Sequence, residues 1–121
     1  MATQDNMLCV SLEASADLSA KQFCFMSVNS SGQIAATGAG LMAQGVLQND
    51  PAAAGRAGLV AVAGKVKVLC GAAVTRGGPV ASTSTGTATN ATTGNIILGT
   101  ALETGASGRV IEILLQPRGA A

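Results

Sequence analysis

Histidine, tyrosine and tryptophan are absent from this chain, and phenylalanine occurs only at Phe23 and Phe25. Without histidine there is no Ser-His-Asp or Cys-His catalytic arrangement, and the commonest zinc ligand is missing. With only two aromatic rings the chain offers no exposed platform on which bases stack, since Phe23 and Phe25 lie in its most apolar run and are expected in the core. Charge is also scarce. Seven basic residues face six acidic ones, and only Lys65 and Lys67 stand close together. Binding to nucleic acid needs clustered cations, so that class is excluded, and the lysine pair reads as the solvated face of a strand. No apolar stretch approaches the ~18 residues of a membrane span, and the start MATQDNMLC lacks the pattern of a signal peptide. Cys9, Cys24 and Cys70 are odd in number and lack CxxC spacing. They read as buried free thiols of a reducing compartment. The sequons at Asn29 and Asn90 are then chance matches.

What is present is small and apolar. Hydrophobic residues make up 48% of the 121-residue chain, but most of them are Ala and Val. A single domain of this size buries only about two-thirds of its chain surface, and small side chains lower the gain per residue. Additional burial between subunits is the expected remedy, and near-zero net charge favours association.

The order along the chain is that of strands. Residues 1–6 are polar and unpatterned, which predicts a mobile arm. Leu8, Val10 and Leu12 then alternate with polar neighbours. Residues 14–20 form a loop or a single helical turn. Phe23 to Val28 ends in the turn Asn29-Ser30-Ser31-Gly32, and Ile34 to Thr37 is expected to return as the hairpin partner. Val60, Val62, Val66, Val68 and Cys70 share one parity, with Lys65 and Lys67 on the other. This predicts a long bent strand from Gly58 to Cys70, or two strands with a bulge at Ala63-Gly64. Arg76-Gly77-Gly78-Pro79 is a turn, and residues 81–94 are read as an exposed loop in preference to a Thr-rich edge strand. Ile96–Leu102 and Arg109–Gln116 are the last strands, with Ile111, Ile113 and Leu115 facing one way. The one candidate helix, Ala39 to Leu47, is weakened by its glycines, each costing on the order of 1 kcal/mol. The expected fold is all-β, or β with one short helix. A faint internal echo accompanies it: Gly45-Val46-Leu47 and Gly99-Thr100-Ala101 each precede a small-residue turn with Gly-Arg and then a strand. Two similar hairpins fit this better than a solenoid.

The search for chemistry ends without a site. The six carboxylates Asp5, Glu13, Asp17, Asp50, Glu103 and Glu112 are scattered and read as solvated. Gly58 to Gly64 before Lys65 has the wrong glycine spacing for a phosphate loop, and Val66 replaces the expected hydroxyl. Gly38-Ala39-Gly40 lacks the third glycine of a dinucleotide site. No catalytic residue, cofactor or metal is expected, and the chain is read as a non-enzyme.

The segments GVLQNDPAAAGRAGLVAVAGKVKVLCG and IILGTALETGASGRVIEILLQP, with a Gly/Pro turn and a Thr/Ala/Gly tract between them, resemble small capsid decoration (cement) proteins of tailed bacteriophages. The resemblance covers roughly residues 43–117. It implies a small β-barrel or β-tulip-like domain over residues 8–118, between an arm at 1–7 and a tail at 119–121. It also implies a homotrimer, made in the host cytoplasm, that binds the major capsid protein on the outside of the virion and strengthens the head against DNA pressure. On that reading Ala2, Thr3, Gln4, Asp5, Asn6 and Met7 are the candidate capsid contacts, adding to a strand edge of a neighbouring subunit. A head fibre or tail component, or a small β-barrel ligand-binding module, are the alternatives.

Overall fold

The computed structural model describes residues 7–120, and over that span the chain is all β, with no helix. Nine strands form one antiparallel sheet curled into a half-barrel. They are β1 Met7–Glu13, β2 Phe25–Val28, β3 Ile34–Ala36, β4 Gly45–Leu47, β5 Ala57–Leu69, β6 Pro79–Ser82, β7 Ala88–Asn90, β8 Gly99–Ala101 and β9 Val110–Leu115. The hydrogen-bonded order is β3-β2-β4-β5-β9-β8-β6-β7, with β1 paired to β5 outside that path. Glycines at 38, 40 and 45 prevail over the helical spacing of 39–47, whose end is β4. Ala14 makes an isolated bridge to Ile34, and residues 15–20 hold turns and bends without a helix.

The two halves repeat one another. Ala14 donates to the Arg56 carbonyl (2.8 Å) and accepts from Gly55 (2.9 Å), while Cys70 donates to Arg109 and accepts from Gly108, both at 2.8 Å. The Leu18 N–H bonds Pro51 and the Val74 N–H bonds Gly105, each at 2.9 Å. Gly55 and Gly108 adopt φ of 84° and 86°, the left-handed turn that glycine reaches without strain. The Leu59 N–H is bound by the Asn49 side chain and the Glu112 N–H by the Glu103 side chain, each at 2.8 Å. The two expected hairpins therefore exist as β4–β5 and β8–β9, and the resemblance extends well beyond them. β2, β3, β4 and the first part of β5 correspond to β6, β7, β8 and β9, and β1 corresponds to the later part of β5. Replacing Asn49 with Ala should cost about 1 kcal/mol, the usual net value of such a bond, and a thermal melt would read it.

Each repeat has its own core. Ala14, Leu18, Met26, Ile34, Leu47 and Val60 pack in one cluster. Their counterparts Cys70, Val74, Val80, Ala88, Ala101 and Ile113 all fall in the other. The larger cluster also takes up the opposite face of the first repeat, the cross-strand row Phe25–Val46–Ala61. The first repeat thus uses both faces of its sheet, one for its own core and one against its neighbour.

β5 is where a simple alternation fails. Val60, Val66 and Val68 are buried and Val62 half-buried, with Lys67 exposed and Lys65 half-exposed, as the spacing predicts. Yet Val60 belongs to the first core, and Val66 and Val68 to the second. Leu8 faces Ala63 and Cys9 faces Ala61, which leaves Val62 as an extra residue. Gly64 follows in the left-handed region at φ 99°. An inserted residue turns the following side chains to the other face, so one parity serves two cores. The strand also bends sharply: the Gln48 N–H bonds Leu59 (2.7 Å), while its side chain reaches the Lys67 carbonyl (3.3 Å).

Two further expectations are corrected. Residues 81–94 are no loop: Ala81 and Ser82 end β6, Gly86 turns the chain at φ 85°, and Ala88–Asn90 form the edge strand β7. Their buried side chains are alanines and a serine, too small to register as an apolar pattern. Phe23 is half-exposed instead of core, and it is the one non-glycine residue with positive φ (68°) among those described. Its N–H bonds Leu47 (2.6 Å) and its carbonyl accepts from Leu69 (2.8 Å), so it straps β4 to the later part of β5. In the second repeat the same place is taken by Gly77, at φ 80°.

Candidate interaction surface

Among the described residues no three Cys, Asp or Glu gather closely enough to hold a metal ion. Cys24 and Cys70 are buried free thiols, and burial pushes both above the ordinary thiol range, which disfavours the reactive thiolate. Cys9 is half-buried and packs against the larger core. A cleft of about 410 Å³ is lined by Met7, Phe23, Gln48, Lys65, Lys67 and Glu112. Its ion pair, Lys65 to Glu112 at 3.6 Å, is partly exposed and contributes little to stability.

What the surface offers instead is apolar contact along β1. Leu8 is 61% exposed, and Met7 and Val10 beside it are exposed too. Leu59, opposite Ser11, adds to the same region. A second hollow, lined by Met7, Leu8, Ala63 and Gly64, adjoins the start of the strand. β1 has a single partner strand, so its far edge carries backbone groups with no partner among the described residues. A seven-residue apolar edge strand is the type of surface that native proteins cover with another chain. The other edges, β3 and β7, are three residues long.

The residues proposed from sequence as partner contacts divide here. Ala2, Thr3, Gln4, Asp5 and Asn6 lie outside the described residues. Met7, placed at the end of the arm, stands instead in β1 opposite Gly64. At the other end, Gly119 and Ala120 are tied to the sheet through Ile97 and Ile96. The exposed side chains of β1 were missed as a surface because alternating apolar residues normally mark a buried face.

A model of the phage cement protein family matches residues 2–116, nearly the whole chain. The chain belongs to the phage cement protein family. It is a structural protein of the phage head and a component of the virion. Among solved structures, the fold is similar to the N base of head fiber gp8.5 in bacteriophage phi29, at 18% identity and a TM-score of 0.71. That match covers 96% of this chain and 98% of the other. No curated protein matches the sequence.

Proposed function

We propose that the protein is a homotrimeric cement protein that binds the major capsid protein on the outside of the phage head and holds the shell against the pressure of packaged DNA. The match to the cement family over residues 2–116 carries this reading. The apolar edge of β1, which the arm enters directly, supports it. Many copies, each bridging several capsid subunits, let modest contacts add through multivalency. No enzymatic step, cofactor, nucleic acid or membrane enters the mechanism.

Residues 2–6 act as the capsid-binding arm in this proposal. A strand edge on the shell would take up their backbone donors and acceptors, as in β-augmentation. Deleting residues 2–6 should leave the native mass and melting temperature unchanged and weaken binding to undecorated heads at least about tenfold. Full-strength binding by the truncated protein removes the arm from the mechanism. Heads saturated with the intact protein should also retain their DNA to higher temperature than bare heads; equal release would sink the stabilising role. The shared fold with a head fibre base supports a second reading, attachment of a fibre, which electron microscopy of the virion separates by looking for density extending beyond the bound domain.

A further inference from the structure

The repeat leaves two faces unequally covered. Val66 lies opposite Ile113 and is 1% exposed; its counterpart Val10 lies opposite Val60 and is 40% exposed. Ser82 is 2% exposed, and its counterpart Val28 is 39% exposed. Val66 and Ser82 are covered because the first repeat packs on the second, through the row Phe25–Val46–Ala61 and the segment around Gly40, whose N–H bonds Ser82 at 2.9 Å. Among the described residues, none does the same for the first repeat. At the other end, the row equivalent to Phe25–Val46–Ala61 is Pro79–Thr100–Leu114; the Arg118 guanidinium donates to the Thr100 hydroxyl (3.2 Å), but Leu114 stays 37% exposed among the described residues. Among the described residues one repeat has a partly open core edge and the other a partly open covering face.

We infer that copies of this chain join head to tail, the second repeat of one copy packing its Pro79–Thr100–Leu114 row over Val10 and Val28 of the next, as the first repeat packs on the second within one chain. The inference rests on the proposed homotrimer and specifies its contact. The backbone agrees. Ala14 spends both its groups on the Arg56 side, so in an antiparallel pair the Glu13 N–H points to the outer edge. Its counterpart, the Leu69 N–H, bonds the Phe23 carbonyl at 2.8 Å. Gly77 holds the place of Phe23, and its carbonyl is the acceptor offered to Glu13 of the next copy. Pro79 has no N–H to match the bond from Phe25 to Gly86, so this contact relies more on side chains. A contact between two different faces generates a ring where its rotation closes. Three copies place six repeats around it.

Val10→Glu and Leu114→Glu test the two faces separately, since both side chains are exposed and a charge there leaves the fold intact. Native mass at about 10 μM should show a wild-type trimer and two monomeric variants with unchanged circular dichroism and melting. Mixed at about 100 μM each, because a single contact lacks the avidity of a ring, the variants should form a dimer with one chain of each. Either variant keeping the trimer, or a mixture that stays monomeric, overturns the inference. A wild-type monomer that binds heads overturns this contact alone. A wild-type trimer that ignores heads overturns the cement reading and leaves the contact standing.

Discussion

Replacing Val66 with Asp should unfold the protein or bring it close to unfolding, while Lys67→Gln next to it should be nearly neutral. Val66 is 1% exposed, sits opposite Ile113 and belongs to the larger core with Val68, Ile111 and Ile113. A carboxylate there meets only apolar neighbours. It must either give up its charge or draw water into the core, at a cost of about 4 kcal/mol or more. Domains of this size have about 5–15 kcal/mol of stability in all, and a core built from Ala and Val has little surplus. Lys67 is exposed, and what it gives the fold is its backbone carbonyl, which accepts from the Gln48 side chain and which glutamine keeps. Equal melting curves for the two variants would show that the strand register is wrong.

The second large effect is expected from one methyl group. A Cβ added at Gly45 would overlap the carbonyl oxygen of Ala61 and come within 2.6 Å of a Val60 methyl. The same atom at Gly99 would overlap the carbonyl of Leu114. Neither oxygen can move aside, because each belongs to a strand held on its neighbours. Gly45→Ala should therefore cost about 3 kcal/mol, the upper end of the usual cost of overpacking. At about 4 °C per kcal/mol for a domain of this length, the melting temperature should fall by roughly 12 °C. Gly119→Ala is the control, since a Cβ there meets nothing within 4 Å. A fall of less than about 3 °C for Gly45→Ala would mean that β4 and β5 separate more easily than their pairing implies.

The glycine pair also marks what was legible in the sequence. Val60, Val66 and Val68 announce their burial by spacing, as do Ile111, Ile113 and Leu115, because a half-buried strand must alternate. The turn at Asn29 to Gly32 follows from backbone chemistry that acts locally. The Ala81 to Asn90 hairpin left no such trace, since buried alanines beside exposed threonines carry little contrast. The change of face at Val62 was hidden for another reason. A bulge is set by the pairing with Leu8 and Cys9, more than fifty positions away in the chain. The repeat was visible as two short hairpins only, because most of its shared features are backbone hydrogen bonds, which place few demands on side-chain identity. The interaction surface was the least legible part. Val10 and Val66 are the same residue in equivalent places, and only the presence or absence of a neighbouring repeat makes one a surface and the other a core.

β5 closes the first repeat with its opening residues, paired to β1 and β4, and begins the second with its closing residues, paired to β9. Most tandem duplications leave a linker between units, and such units melt one at a time or in sequence. Here the joint is itself hydrogen-bonded strand, and a cut at Gly64 would take an essential strand from the second unit and the cover from the Phe25 face of the first. The chain is therefore one foldon. Local opening cannot peel away half of it, so a subunit pulled from its two ends would stay whole up to the point at which all of it gives way.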